Sequence, residues 1–174
     1  MMNILKLIGI LLLGIGILGQ VYEWITRQKT RQRKLREMEI FFQKAIYAME
    51  EEKVRWIVFF ENYESKEPLI METLQEIALR LRENRYAKGE DAWEAVFIEK
   101  KKQWDCSEAS FHLLIQAGHA FFGKSRKENS CFLQSYLKQL KESQIQEKQK
   151  FQEEKKVWIP VSMLGGCMVV IILL

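Results

Sequence analysis

Proline, cysteine and histidine are scarce in this chain: 174 residues hold two, three and two of them. So little proline leaves long stretches free of the residue that breaks helices. The cysteines are odd in number and widely spaced, and Cys106, Cys131 and Cys167 form no CxxC pair. That argues against a disulfide framework and for a reducing surrounding, with the three thiols as buried small hydrophobes. His112 and His119 are seven apart, on similar faces of one helix, but no Cys, Asp or Glu at ligand spacing joins them. No metal site is expected. No nucleophile elbow or phosphate loop occurs, and the GxGxxG at Gly14, Gly16 and Gly19 lies inside an apolar run, where small residues let helices approach closely. The run Glu50, Glu51 and Glu52 reads as a solvated face rather than a paired acid and base. No catalytic, cofactor-binding or metal-ligating residue is therefore assigned, and the chain reads as no enzyme.

What is present lies first at the two ends. Residues 4–25 are apolar except for Lys6, Gln20 and Glu23, and residues 157–174 carry no charged side chain. With a rise of about 1.5 Å per residue, the second stretch reaches roughly 27 Å, against a hydrocarbon core about 30 Å thick. Ten of its residues are Leu, Ile or Val, and each favours insertion by about 0.3 to 0.6 kcal/mol near the bilayer centre. Pro160, Ser162, Gly165 and Gly166 reduce that sum without reversing it. A cleaved signal peptide is the rival reading of the first stretch, yet Gly14 and Gly16 fit a cleavage site only loosely and the apolar pattern continues to Ile25. Both ends read as membrane spans of a helical hairpin, with residues 26–156 on one face of the bilayer. Arg27, Lys29, Arg31, Arg33, Lys34 and Arg36 follow the first span closely, which by the positive-inside rule makes that face cytoplasmic. Tyr22, Trp24, Arg27 and Trp158 are the expected anchors at the same interface.

Charge gives no sign of nucleic acid. Lys and Arg number 27 against 23 Asp and Glu, with the signs interspersed, and no recognition fold or aromatic platform accompanies the basic run. Anionic lipid accounts for that run, at about 1 kcal/mol per charge near the surface.

Between the ends, apolar residues recur at helical spacing and no stretch alternates as a strand would. Leu35, Met38, Phe42, Ala45 and Met49 form a coiled-coil-like seam on a helix that continues out of the first span. Val54, Trp56, Ile57, Phe59 and Phe60 read as a buried helix of open register. Pro68 suits the first position of a helix whose stripe is Ile70, Leu74, Ile77, Ala78 and Leu81, and residues 84–89 end it. Asp91, Ala92, Trp93, Val96 and Phe97 open a short helix that dissolves at residues 99–102. Asp105 with Glu108 forms a capping pattern ahead of the stripe Phe111, Leu114, Ile115, Gly118 and Phe122. Gly123 closes that helix, Ser125 with Glu128 caps the next, and a tight αα-hairpin results. The last helix packs through Leu133, Tyr136, Leu137 and Leu140, and then keeps only Ile145 and Phe151 as apolar residues over the charged stalk 141–156. The fold class is all-α: a two-span membrane hairpin around one helical-bundle domain.

Four elements together resemble the stage III sporulation protein AB family of endospore-forming bacteria. They are the opening Leu5, Lys6, Leu7, Ile8 and Gly9; the Ala92, Trp93, Glu94 and Ala95 element; the helix end from Gly118 to Gly123 followed by Ser125; and Leu164, Gly165 and Gly166 before the apolar terminus. The family pattern has an acidic residue where this chain has Arg126, and a proline turn near residues 54–57.

The resemblance implies a soluble domain like the helical cytoplasmic domains of type II secretion inner-membrane platform proteins. It implies a non-enzymatic scaffold in the outer forespore membrane with its domain in the mother-cell cytoplasm. Its partners would be a secretion-type ATPase and channel-forming membrane proteins of the same operon, with homo-oligomerisation left open. Lys124, Ser125 and Arg126 at the hairpin corner, with Ile145 and Phe151 on the stalk, are the candidate partner-binding residues. The alternative is a membrane-anchored regulator of a cytoplasmic enzyme or division protein outside sporulation. A pore is disfavoured, because Lys6 and Glu23 sit at the edges of the span and leave no charge within it to line a pathway.

Overall fold

The computed structural model describes the backbone of residues 4–51, 55–123 and 126–173. Side chains at 4–8, 10, 11, 13, 17, 18, 51, 126, 127, 163, 166, 167 and 169–173 lie outside that description. Among the described residues there is no strand. Within those residues seven helices follow one another: α1 Ile4–Glu51, α2 Trp56–Glu61, α3 Pro68–Arg82, α4 Gly89–Glu99, α5 Lys101–Trp104, α6 Glu108–Phe122 and α7 Arg126–Leu173. The all-α class holds. Two compact units divide the chain, residues 1–30 with 146–174, and residues 31–145.

In the unit 31–145 the expected seam on α1 is the floor of the core. Leu35, Met38, Phe42 and Ala45 are at most 1% exposed, and Met49 is buried too. Phe41, outside that seam, is also fully buried. A strict heptad seam serves one partner helix, whereas a helix covered by several elements buries a wider stripe. Phe41 accordingly meets Phe60, Tyr63, Trp93 and Phe121, with ring centroids 6.0, 5.0, 6.3 and 5.7 Å away. Each such pair adds about 0.5 to 1.5 kcal/mol beyond the area it buries.

Pro68 stands at the start of α3, as its fixed φ favours, and Ile70, Leu74, Ile77 and Ala78 are buried while Leu81 is half-buried. The short α2 buries Phe60 and half-buries Trp56, Ile57 and Phe59; Val54 lies outside the described residues. Asn84, at φ 49°, turns the chain out of α3.

The segment between α4 and α6 departs from expectation. Residues 101–104 form a further turn of helix, α5, whose Trp104 is fully buried and stacks on Phe97 at 5.2 Å. Asp105 ends α5 in the left-handed region at φ 46°, so it cannot be the cap of the next helix. Ser107 takes that role: its backbone is extended, and its hydroxyl oxygen accepts from Ser110 N at 3.2 Å. On α6 the buried set is Phe111, Leu114, Ala117, Gly118, Ala120 and Phe121, with Ile115 and Phe122 half-buried.

Trp93 of α4 crosses α6 where Gly118 leaves room. Its Nε1 donates to the carbonyl of Leu114 at 2.9 Å, and a Cβ at Gly118 would stand 2.5 Å from Cδ1 of the indole. The thiols also depart from expectation. Cys106 is half-buried and Cys131 exposed, because Cys131 falls on the outer face of α7 one position from the buried Ser130. The side chain of Cys167 lies outside the described residues.

In the unit of residues 1–30 and 146–174, α1 and α7 supply all the helix. Among the described residues no helix is long and apolar enough to cross a membrane. The stretches 4–25 and 157–174, read as spans from the sequence, rest in part on side chains outside the described residues.

Candidate partner-binding surfaces

Gly123 and Asn129 flank residues 124 and 125, which lie between α6 and α7. Gly123 closes α6 with an ordinary φ of −69°, and its role is space: a Cβ there would fall 2.2 Å from Oδ1 of Asn129. The nearly buried Asn129 donates from Nδ2 to the carbonyl of Gly123 at 3.1 Å, closing the corner from the α7 side. One residue on, Ser130 Oγ donates to Oε1 of Glu50 at 2.9 Å, and Gln134 Nε2 donates to the same oxygen at 3.2 Å. Glu50, read from sequence as part of a solvated run, is exposed and also ties the start of α7 to α1.

At this end of the bundle Gly89 abuts the ring of Phe122, and His119 Nδ1 lies 2.9 Å from Oε2 of Glu90. Of the corner candidates, Lys124 and Ser125 lie outside the described residues. Arg126 opens α7 with its side chain outside them as well.

At the opposite end of the bundle, Leu140 is fully buried, Lys141 Nζ lies 3.2 Å from Oε1 of Glu39, and the hydroxyls of Ser143 and Ser110 share a hydrogen bond of 3.0 Å. The first turn of the expected stalk is therefore held to the bundle. Ile145 projects outward, 56% exposed.

Phe151 belongs to the other unit, where its ring packs on Trp24 with centroids 4.7 Å apart. One face of each ring is thereby occupied. In the same unit Tyr22 and Trp158 are exposed, Arg27 pairs with Glu23 at 3.2 Å, and a groove of about 230 Å³ is lined by Gln20, Val21, Trp24, Trp158, Ile159 and Ser162.

Sequence reasoning missed a buried cation. Arg80, 9% exposed, lies 2.8 Å from Glu76 and 2.6 Å from Glu99, and donates to the Tyr86 hydroxyl at 3.3 Å. Its hydrogen bond to Glu99, and then those to Glu76 and Tyr86, hold the guanidinium charged against the cost of burial. The same bond holds the Glu99 carboxyl below the usual carboxylate range. This clamp joins α3 to α4 across the residue 84–88 turn. Tyr63, against Phe41, has its phenol pushed up to about 12 by burial and, second, by the charge of Glu37. His112 and His119 are both exposed, and no group of three or more His, Cys, Asp or Glu among the described residues could hold a metal.

A family model for stage III sporulation protein AB matches residues 6–174. The chain belongs to that family. No curated protein and no solved structure matches it. In this family member, two of the elements that carried the resemblance meet in the core: Trp93 of the Ala92 to Ala95 element lies over Gly118, the first residue of the α6 helix end. Leu164 and Gly165 of the closing element are exposed. The side chains of residues 5–8 and of Gly166 lie outside the described residues.

Proposed function

We propose that this member of the stage III sporulation protein AB family is a non-enzymatic membrane platform of the complex between mother cell and forespore. Its terminal apolar stretches, 4–25 and 157–174, anchor it in the outer forespore membrane, and its helical unit faces the mother-cell cytoplasm. There it couples a cytoplasmic secretion-type ATPase to channel-forming membrane proteins. The observation that carries this reading is the family match over residues 6–174, which runs through both apolar ends as well as the bundle.

The physical arguments run in the same direction. Two stretches of 22 and 18 residues with so few charges suit a bilayer core, and the basic run after the first suits its cytoplasmic face. A chain tethered at both ends offers a fixed docking surface, which serves coupling better than diffusive catalysis. Contacts with partners fall to Lys124, Ser125 and Arg126 at the α6 to α7 corner and to the exposed Ile145; Phe151 contributes what its packing on Trp24 leaves free.

A detergent pull-down of the tagged full chain from sporulating cells tests the proposal. Recovery of a secretion-type ATPase together with membrane channel proteins is the expected result, and charge reversal at Lys124 and Arg126 should weaken it. Recovery of an unrelated enzyme instead would shift the reading to a membrane-anchored regulator.

A further inference from the structure

The end of the bundle at which the chain enters, at Arg31, and leaves, at Ile145, gathers basic residues from a segment distant in sequence. Lys34 Nζ donates to the main-chain carbonyl of Gln103, which brings the α5 turn against α1. That turn follows Lys100 and carries Lys101 and Lys102, so three successive lysines join the basic run of α1 at one end of the unit. Contacts from other elements mark the same end. Arg33 pairs with the buried Glu67 just before α3, and Ser110 near the start of α6 meets Ser143 of α7.

Among the described residues, not every cation at this end is paired with a carboxylate. Arg33 is matched by Glu67, Lys100 by Glu72 at 3.8 Å, and Lys101 by Glu108 at 2.7 Å. Lys34 spends its hydrogen bond on a neutral carbonyl. Lys102 is exposed, and among the described residues no carboxylate pairs with it. The Lys101 pair is itself open to exchange, since its side chain is 49% exposed and that of Glu108 81%. Exposed pairs of this kind contribute little and give way readily to another anion.

We propose that the α5 turn, through Lys101 and Lys102 with Lys34 beside them, is a docking surface for the anionic headgroups of the membrane in which the chain is anchored. The proposal rests on the membrane reading above. Arg31 lies six positions on from Ile25, the end of the first apolar stretch. Even fully extended, those six steps reach about 20 Å, which keeps Arg31 within that distance of the end of the apolar stretch. Sequence alone shows the basic run 27–36; the fold adds to it a second basic segment some seventy residues on. Headgroup contact there holds the bundle's entry end toward the lipid and leaves the α6 to α7 corner, at the opposite end, free for proteins.

Lysine footprinting of the full chain in lipid nanodiscs tests this. One preparation contains only phosphatidylcholine and the other adds about one third phosphatidylglycerol. Acetylation of Lys101 and Lys102 should slow about fivefold in the anionic discs, as attraction of roughly one charge each implies. Lys88, exposed in the turn between α3 and α4 at the far end, should not change. The protection should fade at about 0.5 M salt, where the Debye length is only a few ångströms. Equal rates in both discs, or protection that persists at high salt, would overturn the docking surface while leaving the anchored platform standing. A chain that cannot be incorporated into discs at all would defeat the membrane reading, and this surface with it.

Discussion

Trp93 and Gly118 show how one pair of residues can fix the approach of two helices. Trp93 is fully buried, its indole N–H is committed to Leu114, and the missing Cβ of Gly118 is the space the ring occupies. Neither ring nor backbone can yield cheaply there. Gly118→Ala should therefore cost about 1 to 3 kcal/mol by overpacking, seen as a lower midpoint in unfolding of the detergent-solubilised chain. In a Trp93→Phe background the penalty should shrink, since the smaller ring leaves room for the methyl group. Equal penalties in both backgrounds would mean that the glycine acts through something other than this contact.

This pair also marks how far the sequence was legible. Its two halves stood out as elements of a family resemblance, but the contact between them lies 25 positions apart in the chain and needed the fold to be seen. Arg80 is the opposite case. Its neighbours Ile77 and Leu81 read correctly as a core stripe, and a charged residue between them reads as solvent-facing. Glu99, brought back by α4, together with Glu76 and Tyr86, makes its burial tolerable.

At the scale of elements, the long periodic helices and the apolar α2 and α4 were readable, and the four-residue α5 was not. The seam from Leu35 to Met49 and the α3 stripe persist over several turns, enough for a 3.6-residue period to show. The four residues of α5 are too few for any period, and their lysines disguise the buried Trp104 that ends them. The cap of α6 was displaced by two residues for the same reason: Asp105 is spent on ending α5, and Ser107 starts α6.

The displacement yields a paired prediction. Ser107→Ala should cost about 0.5 to 2 kcal/mol through the lost cap. Asp105→Gly should be nearly neutral or slightly stabilising, because glycine adopts the left-handed conformation at φ 46° without strain. Chemical denaturation of the two variants beside the parent chain decides the matter; a larger loss at Asp105 than at Ser107 would restore Asp105 as the cap. The candidate contact residues on α7 were legible only in part. Ile145 is exposed as its isolation among polar residues implied, whereas Phe151 has Trp24, near the other terminus, against one face of its ring.

For the molecule as a whole, the family match and the helical bundle leave one physical question at the centre: whether both ends of the chain lie in a bilayer with the bundle on its cytoplasmic face. The exposed Cys131 provides a native reporter on the bundle. With Cys106 and Cys167 replaced by serine, protoplasts of non-sporulating cells that express the full chain in the plasma membrane would be treated with a membrane-impermeant maleimide before and after lysis. A second chain would carry Leu174→Cys in place of Cys131. The account predicts that Cys131 reacts only after lysis and that the cysteine at position 174 reacts on intact protoplasts; labelling of Cys131 on intact protoplasts would contradict it.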